Sequence, residues 1–373
     1  MLKHLAQVTA LAFLLAPMLA TAAPARNKPV VEVVFVLDTT GSMGPLIEGA
    51  KRKIWSIATT LIDCSPDAEI RMGLVAYRDI GDDYVTKTFD LTTDIQGLYA
   101  DLLKLRARGG GDWPESANEA LFVGVTKMSW DPKPDTTRII FLVGDAPPHM
   151  NYAQDMKYPE VMRLAKARGI KVNAVQAGSA RDTERVWREI AQMGHGEYIA
   201  IPQDGGKLVV IETPYDREII DLQSRINRTI VPYGSPAQQR SARDRVQQYS
   251  AAAPSVASDM AGYMAKQAAR PGRSADALTG AGDLVGDVAA GRQSLSSVRD
   301  RDLPDDLRRM SASERQAHIE RQARERRALN ERLAELVQRR DRHIAEARSK
   351  QPRPAADSFD RAVERTLRAQ IAR

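Results

Sequence analysis

Cysteine is almost missing from this 373-residue chain: Cys64 stands alone. A single thiol closes no intramolecular disulfide and builds no cysteine-based metal site, so Cys64 reads as a buried packing residue after the apolar stretch Ile54 to Ile62. Histidine is nearly as scarce, with five residues and no pair at metal-ligand spacing. Three loops that would point to catalysis are also absent: the phosphate-cradling G-x-x-x-x-G-K-[ST], the nucleophile turn G-x-S-x-G, and a D-x-D pair after a strand. No general base is evident. The chain therefore reads as a non-enzyme, with a metal-dependent hydrolase or phosphoryl-transfer enzyme as the alternative. Long apolar runs are missing too, except at the start.

That start predicts a secretory signal peptide over residues 1–23. Lys3 and His4 are weakly basic, Leu5 to Leu19 is apolar apart from Gln7 and Thr9, and Ala20-Thr21-Ala22 resembles a cleavage site. The apolar stretch is shorter than the ~20 residues of a spanning helix. The expectation is an exported protein, periplasmic or secreted, without a transmembrane span after signal removal.

Charge is unevenly placed. Residues 301–373 hold 19 Lys and Arg against 13 Asp and Glu, which accounts for the whole net charge of +6. The signs are mixed and the segment has one aromatic, Phe359, so it reads as a solvated helical tail or an assembly arm. A basic tail binding nucleic acid through its phosphates is the weaker reading, and no nucleic-acid partner is expected.

The region between signal and tail alternates strand and helix patterns. Val30 to Leu37 is apolar but for Glu32, short and β-branched, as a strand covered on both faces must be. Leu46, Ile47, Ala50, Ile54, Ile57, Ala58, Leu61 and Ile62 then recur at helical spacing. Further strands are predicted at Ile70 to Tyr77, Tyr84 to Phe89, Thr137 to Val143, Ile170 to Gln176 and Glu197 to Ile201. Helices are predicted at Leu98 to Leu105, Ala117 to Met128, Tyr158 to Arg168, Thr183 to Met193 and Glu218 to Ile230. This order predicts an α/β domain, Rossmann-like and doubly wound around a mostly parallel sheet, over residues 30–232. Residues 233–300, rich in Ala, Ser, Gly, Asp and Arg, read as a flexible low-complexity linker with one or two short helices. Residues 301–373 read as a charged helical tail, partly disordered, with a short stripe of Leu329, Leu333, Leu336, Val337 and Ile344. Arg326 and Arg340 fall on the seam of that stripe and argue against a coiled coil.

In parallel sheets ligands bind outside the carboxyl ends of the strands, and there the sequence gathers oxygen. Asp38-x-Thr40-x-Ser42 follows the first strand, and Asp145 ends the strand TRIIFLVG. Asp112 lies in the turn GGGDWPES. Hard divalent cations take such oxygen donors, some from protein and the rest from water. His149 of GDAPPH and the acids of YRDIGDDY (Asp79, Asp82, Asp83, with Arg78) read as surface groups and a solvated turn. Trp113 reads equally as a rim aromatic or a plug under its loop.

DTTGSM, GGGDWPE and GDAPPH, in that order, resemble the von Willebrand factor type A domain with its metal-ion-dependent adhesion site, in a bacterial exported form. The resemblance covers about Val30 to Ile230. It implies that Thr40 and Ser42 bind Mg²⁺ (or Mn²⁺) directly, that Asp38 and Asp145 bind it or hold its waters, and that a carboxylate of a protein partner fills the open position. The family usually has a threonine where Asp112 stands. Members that resemble this chain share GGGDxPE, and Asp112 is taken with them as a ligand or water-holder. The extra carboxylate should tighten cation binding and weaken the pull on an acidic partner. The implied function is a metal-dependent protein-binding module for adhesion or assembly. A scaffold whose loops the metal merely stabilises is a further reading.

Overall fold

The computed structural model describes residues 28–206, 210–270, 282–350 and 358–371. The predicted signal segment lies outside these, as do 271–281 of the expected linker and 351–357 and 372–373 of the expected tail.

The strands are β1 (Val30–Asp38), β2 (Glu69–Tyr77), β3 (Thr86–Thr92), β4 (Thr137–Gly144), β5 (Ile170–Ala177) and β6 (His195–Ile201). They form one sheet in the order β3-β2-β1-β4-β5-β6. All neighbours are parallel except β3, which lies antiparallel on β2. The helices are α1 (Gly44–Cys64), α2 (Ile95–Lys104), α3 (Ala117–Thr126), α4 (Tyr158–Ala167), α5 (Arg181–Met193), α6 (Asp216–Arg228), α7 (Pro236–Ser250), α8 (Pro254–Ala268), α9 (Leu284–Ala289), α10 (Asp305–Arg308), α11 (Ala312–Lys350) and α12 (Phe359–Ile371).

Period-2 alternation divides the core. Val31, Val33 and Leu37 of β1, with Ile139, Phe141 and Val143 of β4, pack toward α1 and α2. Val34 and Val36, with Ile140 and Leu142, pack toward α3, α4 and α5. Central strands buried on both faces are mostly apolar, which explains the long runs; the buried Glu32 of β1 is paired with Arg71. Cys64 is only half-buried, because it is the last residue of α1 and the chain turns away at Ser65.

The expected linker is more structured than its composition suggests. α7 and α8 are fifteen residues each, and α7 opens with a capping box between Ser235 and Gln238. Tyr249, Val256, Met260 and Tyr263 join the core on the α1 face, where the Tyr263 ring lies 5.3 Å from that of Trp55. α12 covers the same face: Phe359, Val363 and Leu367 are buried there, and Lys53 of α1 pairs with Asp360 at 3.3 Å.

The stripe on α11 packs inside the molecule. Leu329, Leu333, Leu336 and Val337 meet Ile219, Leu222 and Ile226 of α6 and Ala261 and Ala265 of α8. The two arginines on its seam are buried and paired. Arg326 bonds Asp283 and donates to the Thr229 carbonyl at 2.7 Å. Arg340 reaches Asp216 at 2.7 Å and Asp259 at 2.6 Å. No described helix is long and apolar enough to cross a membrane.

Candidate metal centre

The strand order reverses between β1 and β4, and in doubly wound sheets the ligand crevice opens at that reversal. Asp38 ends β1 and Asp145 follows β4, so both stand at this point. Asp38 is fully buried, and Asp145 nearly so. Gly144 leaves room between them. A Cβ there would fall 2.5 Å from the Tyr77 hydroxyl and 3.4 Å from Asp38 Cβ.

The turn after β1 orients its oxygens. The Thr40 amide and Oγ1 donate to Asp38 Oδ1 at 2.8 and 2.7 Å, and Thr40 Oγ1 lies 3.4 Å from Ser42 Oγ. Because Thr40 spends its proton on Asp38, its lone pairs stay available for a cation. Thr40 is buried and Ser42 exposed, which gives the cluster an inner and an open side. Asp38 Oδ2 is buried with no hydrogen-bond partner.

The GGGDWPES loop closes over this turn. The Arg108 amide donates to the Thr39 carbonyl and the Gly41 amide to the Gly109 carbonyl, both at 3.1 Å. Gly110 has φ +84°, and a Cβ there would stand 2.9 Å from Glu115 Oε1 and 3.2 Å from Thr40 Cβ. Gly110→Ala therefore adds left-handed backbone strain to overlap with two site residues. We expect a loss of about 1–2 kcal/mol, read as a lower denaturant midpoint, with weakened Mg²⁺ binding.

Glu115 is the acid that sequence reasoning missed. It is buried, its Oε2 has no hydrogen-bond partner, and it lies only three residues beyond Asp112. Burial, then the charges of Asp38, Asp79, Asp82 and Asp145, push its carboxyl up to about 9. Burial likewise raises Asp38 to about 7, against the Thr40 hydrogen bonds and helped by repulsion from Asp145 and Asp82. Asp145 is held from behind: its Oδ2 accepts from Gln203 Nε2 at 2.6 Å and its carbonyl from Thr183 Oγ1 at 2.9 Å.

The YRDIGDDY turn, expected to be solvated, is partly a buried clamp. Arg78 donates to the carbonyls of Thr39 and Arg106 at 3.2 and 2.9 Å, tying the turn after β1 to the loop after α2. Asp79 is buried and accepts from Ser116 Oγ at 2.7 Å and Tyr152 Oη at 2.8 Å. Asp82 Oδ2 accepts from the Gly110 amide at 3.0 Å. His149, expected at the surface, is buried, because its amide donates to the Glu115 carbonyl at 3.0 Å and draws it under the loop. Asp112 is 64% exposed at its side chain, with Oδ1 3.5 Å from His149 Nε2. Trp113 resolves toward the rim reading: it is 47% exposed, and its Nε1 donates to Asp182 at 2.7 Å.

Asp38 and Asp145 thus stand at the sheet's carboxyl rim, with Thr40 and Ser42 in the turn after β1 and Asp82 and Glu115 against Gly110 of the covering loop. Residues 32–213, just under half of the chain, match the family model described as von Willebrand factor A domain. That segment carries the six-stranded, mostly parallel sheet of a von Willebrand factor A-like fold. An ariadne-like RING finger protein of Acanthamoeba polyphaga mimivirus is 30% identical over 125 residues, which are 33% of this chain and 12% of the relative. The alpha-protein kinase vwkA of Dictyostelium discoideum is 29% identical over 127 residues, 33% of this chain and 20% of that protein. The chain thus spans only a small part of the curated relatives it matches. Among solved structures, the conserved hypothetical protein BatB from Bacteroides thetaiotaomicron is 20% identical with a TM-score of 0.36, covering 46% of this chain and 90% of that one. The pilus adhesin SpaC from Lactobacillus rhamnosus GG is 16% identical with a TM-score of 0.37, covering 48% and 29%. The fold assignment itself rests on the strand order.

Proposed function

We propose that the chain is an exported binding module, periplasmic or secreted, that holds Mg²⁺ (or Mn²⁺) at the β1–β4 rim and grips a carboxylate of a protein partner through it. Domains of this class commonly mediate protein interactions. The buried, unpartnered Oδ2 of Asp38 carries the reading, because a carboxylate oxygen out of water and without a donor is costly unless a cation or proton meets it. The donor set fits a hard cation: hydroxyls from Thr40 and Ser42 and carboxylates from Asp38 and Asp145. When bound, the ion would offer an open coordination position to an incoming acid.

The chain's own residues supply the rest. Thr40 orients Asp38, Gln203 and Thr183 fix Asp145, and Ser42 stands on the exposed side where a partner would approach. Trp113 would give that partner an aromatic contact. Asp112, counted with the rim set by family resemblance, lies against His149, and Glu115 is the acid beside Thr40. The helical tail would serve assembly from within the fold, since its apolar stripe is already covered.

The test is capture on the immobilised full chain from a cell-envelope extract. A partner should bind in Mg²⁺, elute with EDTA, and fail to bind the Asp38→Ala and Ser42→Ala variants. Capture that survives EDTA and both substitutions would sink the reading.

A further inference from the structure

Three loops meet beside the rim and share with it only Asp112. Asp79 follows β2, Asp112 sits in the glycine turn, and His149 closes GDAPPH. Their nearest ligand atoms all lie within 4.8 Å of one another. His149 Nε2 is 3.5 Å from Asp79 Oδ2 and 3.5 Å from Asp112 Oδ1.

The imidazole decides what the cluster does. His149 is 5% exposed. Its Nδ1 lies 2.9 Å from Asn151 Oδ1, an acceptor, so Nδ1 carries a proton and Nε2 is the nitrogen that faces the two carboxylates. That Nε2 is buried with no hydrogen-bond partner. A buried ring nitrogen and two carboxylate oxygens thus converge on one point, and two carboxylates held this close call for positive charge between them. The spacing also fits a bridged ion better than a hydrogen bond. Neighbouring ligands around a tetrahedral ion with bonds of ~2.1 Å stand about 3.4 Å apart, whereas a good N–H···O contact spans about 2.9 Å.

The supporting shell is in place. Ser116 and Tyr152 donate to the two oxygens of Asp79 at 2.7 and 2.8 Å, Asn151 holds the far ring nitrogen, and the Tyr152 ring stacks on His149 at 4.0 Å. Such partners fix a ligand's tautomer and direction. We propose that Asp79, Asp112 and His149 form a second cation site, for a transition-metal ion such as Zn²⁺. One imidazole and two carboxylates suit that class, whereas the all-oxygen rim suits Mg²⁺. Asp112 leaves the fourth position open toward solvent. The site takes Asp112 from the set that family resemblance gives the rim, and shares none of Asp38, Thr40, Ser42 and Asp145.

Zn²⁺ titration of the full chain by calorimetry in saturating Mg²⁺ tests it, with Co²⁺ absorption reporting tetrahedral geometry. One Zn²⁺ per chain should bind, weaker by about tenfold or more in Asp112→Asn and His149→Gln, and unchanged in Asp38→Ala. Asp112 is exposed, so its variant keeps the fold and decides the case. Absent Zn²⁺ uptake under Mg²⁺, uptake indifferent to Asp112→Asn, or uptake abolished by Asp38→Ala would each overturn a separate site. Failure of the rim itself would show differently, as absent Mg²⁺ binding with Zn²⁺ uptake intact.

Discussion

Deleting residues 233–373 is expected to abolish soluble folding of the sheet domain, although the family match ends at residue 213. The deletion removes Tyr249, Val256, Met260, Tyr263, Phe359, Val363 and Leu367, all buried against the α1 side of the sheet. Full burial of such side chains contributes about 1.5–3 kcal/mol each, so their sum rivals the ~5–15 kcal/mol net stability of a whole domain. It also strips α11 from Ile219, Leu222 and Ile226 of α6. The fragment should aggregate, or melt far below the full chain and bind a hydrophobic dye. A monomeric fragment melting within a few degrees of the full chain would show that the C-terminal helices are an appendage.

The second large effect is a stability of the metal-free protein that falls with rising pH and recovers with Mg²⁺. The sign follows from the raised carboxyls. Folded Asp38 titrates at about 7 against an ordinary value of 3.8. Between those values the unfolded chain gives up its proton while the folded one keeps it, so stability drops as pH rises through that window. Roughly 4 kcal/mol is at stake for Asp38, at ~1.4 kcal/mol for each pH unit. Glu115 extends the loss toward pH 9. A divalent cation at the rim offsets this repulsion, so the Mg²⁺-induced rise in melting temperature should grow from pH 6 to pH 8. Asp38→Asn should stabilise the metal-free protein at pH 8 and abolish its Mg²⁺ response. A metal-free melting temperature that climbs over this range would contradict the buried-acid account.

The fold was largely legible where physics acts locally. Strands buried on both faces are mostly apolar along their length, and β1 and β4 announce themselves that way, Glu32 and Arg138 aside. The antiparallel β3 carries one buried residue, Leu91, among exposed and half-buried ones, and its predicted span sat a few residues too early. α7 and α8 escaped notice because their anchors are a few large residues dispersed among alanine and serine. Only contact with α1 makes Tyr263 or Met260 core. The seam arginines show the same limit, since nothing near Arg326 in sequence reveals Asp283.

The site divides along the same line. Asp38, Thr40 and Ser42 are contiguous, and Asp145 ends a strand that can be read from composition. Asp79, Glu115 and His149 are buried by hydrogen bonds between loops: Ser116 and Tyr152 donate to Asp79, and the His149 amide donates to the Glu115 carbonyl. A local reading sees Asp79 and His149 in polar turns, assigns them to solvent, and passes over Glu115.

The measurement closest to the central claim is a calorimetric Mg²⁺ titration of the full chain at pH 8, beside Asp38→Asn and Asp145→Asn. The account predicts saturable binding of one ion per chain, lost in both variants while each still melts cooperatively. A folded wild-type chain that takes up no Mg²⁺, or variants that bind it as well as wild type, would contradict a metal centre at the β1–β4 rim.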